Sequence, residues 1–281
     1  MSTETSAPAF APDREIAELV VPVGTGALHD RAMPIAAWLS GAWDVPIRLL
    51  HVSASVSSDD PDLEAILGHI RSWHPELPVE SKHLYGDDPA AAISQEVGPH
   101  MLPVLSTEHA DGWSFKDSVA EALVDHVGVP LVLVGPDAKE PHLDGEIVVG
   151  LDGTAVAETA LAVAATMAKA LGKHLWMVRV VAEPAPDEGE LHPEIGLELQ
   201  RLADSLDPAV DPKWEVIHSN DPVGAIEGMA ERLGAAMLVT ATRGRTDESR
   251  TSMCSITMGL VSTARRPVLV VHADRTPMLG A

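Results

Sequence analysis

Three arginines, Arg243, Arg245 and Arg250, fall within eight residues of one another in a chain that has only 19 Lys+Arg against 42 Asp+Glu. The surrounding segment, residues 240–255, also holds Gly244, several hydroxyl side chains and Ser255, where the pattern predicts a helix to start. Backbone amides at a helix N-terminus, a permissive glycine and nearby guanidinium groups together suit a phosphate group. The same residues also suit an exposed polar loop with Ser255 as an ordinary N-cap. Residue types alone leave both readings open.

Other reactive side chains are dispersed. The 13 histidines show no His-Glu-x-x-His spacing, and one cysteine, Cys254, cannot build a Cys-x-x-Cys pair. No metal site is assigned. Cys254 stands just before a predicted helix N-terminus, which would lower its pKa; a small core residue is the plainer reading. Ser255 has no base beside it in the sequence, so a nucleophile is not expected and no catalytic residue is assigned. A lone cysteine also rules out an intramolecular disulfide framework.

The formal charge of −23 repels phosphate backbones, and aromatics at 3% leave few rings for base stacking. Nucleic acid is thereby excluded as a general partner, whereas a small anion held by one basic loop is not. The first fifteen residues lack a basic and an apolar region, so they read as a polar tail. The alanine-rich stretch 154–171 is interrupted by Glu158, Lys169 and threonines and falls short of a membrane span. A soluble, cytoplasmic protein is expected.

The 281 residues suggest about two domains, and the chain repeats itself. Pro130 in Val-Pro-Leu-Val-Leu-Val is matched by Pro267 in Arg-Pro-Val-Leu-Val-Val, and Ser118 and Ser255 each precede their proline by twelve residues. Asp88-Pro89 is matched by Asp221-Pro222, and Gly24-Thr25 by Gly153-Thr154 at an offset of 129. Four landmarks in one order indicate a duplicated unit.

In the second unit, apolar runs at 146–151, 174–181, 213–218, 236–240 and 268–271 read as strands. Helical patterns at 156–171, 193–206, 222–233 and 255–264 alternate with them, and Gly172 is placed to end the first. The first unit follows the same order, from a strand at 17–23 to one at 130–134. Alternation of this kind implies two tandem doubly wound, five-stranded parallel sheets, an α/β fold of Rossmann-like type. The expected division is a tail at 1–14, domains at 15–137 and 145–273, a linker at 138–144 and a second tail at 274–281. Ligands of such sheets sit at the carboxyl ends of the strands, which brings Asp152 opposite the 241–254 loop.

The Asp-Gly-Thr after the first strand, the Asp-Pro before a helix, the Thr-Arg-Gly-Arg-Thr loop, the serine at a helix start and the Pro-Val-Leu-Val-Val ending together resemble a universal stress protein domain. The resemblance covers nearly the whole chain as two tandem domains and is stronger in the second. It implies an adenine nucleotide, ATP or AMP with Mg, held by a Gly-x2-Gly-x9-Gly-Ser/Thr loop. That pattern falls on Ala241, Gly244, Cys254 and Ser255, so its spacing is intact while two of its three glycines are replaced. The resemblance also places Asp152 by the adenine and ribose, Val180 by the adenine and Ile256 in the phosphate turn. Gly153, Thr240 and Arg245 complete the implied set. Ala241 is free of strain only if its φ stays negative.

In the first domain, Val23 is expected to take the place of Asp152. Its loop, residues 106–118, carries Glu108, Asp111 and Asp117 where phosphates would lie. That site reads as degenerate. The resemblance further implies pairing through the last strands, 131–134 with 268–271, as an intrachain pseudo-dimer, with a homodimer or a protein partner beyond it. Two functions follow: a stress-response protein binding nucleotide through its second domain, at most a slow ATPase, or an adaptor of the same fold that binds none.

Overall fold

The apolar runs of the sequence become strands and the intervening patterns helices in a computed structural model, which describes residues 16–24, 31–55, 63–107, 118–138, 144–183, 193–242 and 255–272. The first half runs β1 (Glu18–Pro22), α1 (Ala32–Trp43), β2 (Ile47–Ser53), α2 (Leu63–Trp73), β3 (Val79–Tyr85), α3 (Pro89–Glu96), β4 (Met101–Ser106), α4 (Val119–His126) and β5 (Leu131–Val134). The second half runs β6 (Ile147–Leu151), α5 (Ala155–Leu171), β7 (Leu175–Val181), α6 (Pro193–Ser205), β8 (Lys213–His218), α7 (Pro222–Leu233), β9 (Met237–Thr242), α8 (Ser255–Thr263) and β10 (Val268–His272).

Two of the duplicated landmarks, the Asp-Pro pairs and the serines, mark helix starts. Asp88 and Asp221 each accept an N–H from the third residue on, Ala91 and Gly224, at 3.0 Å, with proline as the first helical residue. An aspartate cap followed by proline satisfies an orphan donor and removes another. Ser118 caps α4 by accepting the Glu121 N–H at 3.0 Å. Gly172 ends α5 at φ +62°, a backbone geometry that costs glycine nothing. A short 3₁₀ turn at Pro208–Val210, set by the cap of Asp207, is an addition to the expected elements.

Within each half all strand pairs are parallel, in the orders β3-β2-β1-β4-β5 and β10-β9-β6-β7-β8. The halves meet through β5 and β10, which pair antiparallel, so one sheet of 10 strands runs through the molecule. Both faces are covered, as the near-continuous Val, Ile and Leu content of the strands requires. One core layer holds Val132, Val134, Leu269 and Val271, and the opposite layer holds Leu131, Leu133, Val268 and Val270. Each layer therefore crosses the joint without interruption. β9 continues past the expected end at Thr240 because Ala241 and Thr242 pair with Val271 and His272.

Candidate functional site

The second half reverses direction between β6 and α5 within three residues, Asp152-Gly153-Thr154. Thr154 caps α5 by accepting the Ala157 N–H at 3.3 Å. Its hydroxyl donates to Asp152 Oδ1 at 2.6 Å, and its N–H donates to the same oxygen at 2.9 Å. The carboxylate is thus held by one oxygen. Asp152 is exposed, and among the described residues its Oδ2 accepts no hydrogen bond.

This turn borders a cleft of about 420 Å³, formed by the carboxyl ends of β6, β7 and β9 and the first turns of α5, α7 and α8. Strand order reverses here, since β6 lies between β9 and β7, and such switch points are where open α/β sheets hold ligands. The volume is in the range of small-molecule sites. Asp152, Val180, Thr240, Ala241 and Ile256, all expected from the sequence, line it together. Val180, Ile226 and Ile256 supply apolar surface, while Asp152 and Thr154 supply oxygens.

Ala241 lies within β9, opposite Val271. Among the described residues, the non-glycine positions at positive φ are Asp44 and Asp211. The alanine therefore occupies its position without backbone strain. Ser255 is the first residue of α8. Gly244, Arg245 and Cys254, with Arg243 and Arg250, lie outside the described residues.

Two residues of the site were not anticipated. Thr257, 1% exposed in the first turn of α8, donates to the Ala241 carbonyl at 3.2 Å and lies 3.2 Å from the Thr240 hydroxyl. It ties the start of α8 to the end of β9. Arg179 sits on β7, directly before Val180, and its guanidinium lies against Gly153. The signal for it was an arginine inside an otherwise apolar strand, Leu-Trp-Met-Val-Arg-Val-Val.

The first half corrects one expectation. Leu19 pairs with Ile47 as Ile147 pairs with Leu175, and the Leu19 N–H bonds Pro46 as the Ile147 N–H bonds His174. These pairings set the offset at 147 − 19 = 128, one less than the Gly-Thr landmarks give. Val23, buried at 5%, is the counterpart of Leu151 at 6%, and exposed Gly24 is the counterpart of Asp152. The carboxylate is absent from the first half, but glycine replaces it, not valine. At the level of Arg179 stands His51, buried, whose Nδ1–H donates to the Val23 carbonyl at 2.8 Å. Glu108, Asp111 and Asp117 lie outside the described residues.

No group of three or more His, Cys, Asp or Glu among the described residues is placed to hold a metal. No helix there is long and apolar enough to cross a membrane.

The model of the universal stress protein family matches residues 145–272. A search of the curated proteins found no match. Among solved structures, a functionally unknown protein from Pseudomonas aeruginosa is 15% identical, with 92% of this chain and 93% of that chain covered at a TM-score of 0.64. A universal stress protein from Archaeoglobus fulgidus is 16% identical, with 91% of this chain and 98% of that chain covered at a TM-score of 0.62. At these identities the likeness is one of fold, and it extends over both halves.

Proposed function

We propose that the chain binds an adenine nucleotide, ATP or AMP, through its second half in a stress response: residues 145–272 match the model of the universal stress protein family, and the first half repeats their architecture. The observation that carries this reading is Asp152, whose Oδ1 is fixed by Thr154 while Oδ2 remains available at the edge of an apolar cleft. A carboxylate oxygen of this kind accepts hydrogen bonds from a ribose hydroxyl. Val180 and Ile256 offer the apolar surface a base requires. The loop after β9, with Gly244 and Arg245, would receive the phosphates, and Mg²⁺ would enter with those of ATP.

The first half serves as a structural partner. With Gly24 in place of the carboxylate it has no acceptor for a ribose at that position. The competing reading is an adaptor of the same fold that binds no nucleotide. Nucleotide analysis of the purified protein after denaturation, followed by calorimetric titration with AMP and ATP, separates the two. Bound or titratable adenine nucleotide supports the proposal, and its absence from both measurements leaves the adaptor.

A further inference from the structure

Arg179 is 17% exposed at its side chain, so its guanidinium must find partners inside the protein. One nitrogen, Nη1, lies 3.4 Å from both carboxylate oxygens of Glu198 on α6. Those contacts are long for a charge-assisted bond, and the ion pair alone does not explain the placement. The other neighbour is Gly153. A Cβ added there would fall 2.2 Å from Nη1, 2.3 Å from Nη2 and 2.5 Å from Cζ. The guanidinium plane therefore occupies the space that any other residue would fill, behind a turn already at φ +79°.

Strand register explains how it gets there. Arg179 pairs with Leu151, the last residue of β6. Its side chain continues the row of Leu175 and Met177, which belong to one core layer, whereas Val178 belongs to the other. Arg179 thus approaches the turn from the face opposite Val180. In the first half both parts differ together: His51 stands at the arginine's level and Gly24 at the carboxylate's.

We propose that Arg179, braced by Glu198, is the positioning residue of the Asp152-Gly153-Thr154 turn and keeps the open oxygen of Asp152 on the cleft. The inference rests on the nucleotide-binding reading for its ligand, but its geometry concerns the turn itself. Arg179 acts through Asp152 and the planar guanidinium is what matters, so a lysine's point charge does not replace it.

The test uses the full chain. AMP is titrated calorimetrically into the wild type, Asp152→Asn, Arg179→Lys, Arg179→Met and the Asp152→Asn/Arg179→Met double variant. Amide hydrogen exchange at Thr154 is followed without ligand. Arg179→Met and Arg179→Lys should each weaken AMP by about tenfold or more, the scale of a misplaced binding group. Thr154 exchange should accelerate several-fold in both. The double variant should bind no worse than Asp152→Asn alone, because the two residues act in series. Additive losses, full rescue by lysine, or unchanged Thr154 exchange in a folded Arg179→Met protein would each overturn the proposal. If Arg179→Met does not fold, Arg179→Lys and Glu198→Gln carry the exchange measurement. If the wild type takes no AMP, the proposed function fails, and Thr154 exchange still decides the role of Arg179.

Discussion

Val132 of β5 and Leu269 of β10 lie directly opposite one another, and each is the other's counterpart in the internal repeat. Their separation, 269 − 132 = 137 residues, is that of Pro130 and Pro267. Leu133 pairs with Val268 and Leu131 with Val270, so the pairing maps onto itself when the halves are exchanged. An approximate two-fold axis runs through the Val132–Leu269 pair, and both side chains are fully buried.

The joint should hold without the linker. A chain cleaved within residues 139–143 is expected to elute as one species in size-exclusion chromatography. Leu269→Asp places an unpaired carboxylate in the core layer shared by both halves and should release them. Halves that separate after cleavage alone would show that β5 and β10 do not bind independently of the connection.

Asp152→Ala removes the acceptor proposed for the nucleoside. AMP affinity should fall by about 1.5–3 kcal/mol, the value of a hydrogen bond to a charged group. The melting temperature should drop only slightly, since Asp152 is exposed and its local partner is Thr154. Calorimetry that returns the wild-type affinity would remove Asp152 from the site.

The two replaced glycines of the loop pattern should behave differently. Ala241 is unstrained within β9, so Ala241→Gly should not tighten ATP and should cost about 0.5–1 kcal/mol of stability. Any gain in ATP affinity from restoring the pattern should come from Cys254→Gly. Gly244→Val should weaken ATP by blocking backbone approach, and Arg245→Ala should weaken it less as salt is raised. Fluorescence titrations across ionic strength distinguish these outcomes.

Glu227 of α7 carries a pH signature. Burial holds its carboxyl above the ordinary 4.5, while the Arg265 backbone N–H and the Arg266 and Arg265 charges draw it the other way. A raised folded value means that the folded state holds the proton more tightly. Its contribution is fully present below the unfolded value and is lost as pH rises through the folded one. Glu227→Gln should therefore raise the melting temperature at neutral pH and change it little below 4.5. Thermal unfolding across pH checks the sign; a variant that is less stable at neutral pH would refute it.

The local signals were legible because they act over a few residues. Asp88 and Asp221, each before a proline, cap their helices through contacts within three residues, and valine-rich runs bounded by glycine and aspartate mark strands by composition. Asp152, Val180 and Ile256, widely separated in sequence, could be brought together through a family resemblance. The partner of Val23 could not be read this way. Matching Gly-Thr to Gly-Thr sets an offset of 129, whereas hydrogen bonds to β2 and β7 set 128. A one-residue difference exchanges the two faces of a strand, and only the pairing of distant segments decides it. Arg179 was hidden for the same reason: the sequence shows an arginine in an apolar strand but not which turn it supports.

Fusion of the two halves through β5 and β10 has an effect that no pair of identical subunits could have. Two copies of one gene product must carry the same residue at every position, so loss of a carboxylate in one is loss in both. Here Gly24 and Asp152 coexist in every molecule, at a fixed ratio and irrespective of dilution, because their encounter is intramolecular. Under the proposed function, one half is released from holding a nucleotide and answers only to the demands of the joint. The other keeps its partner at any expression level.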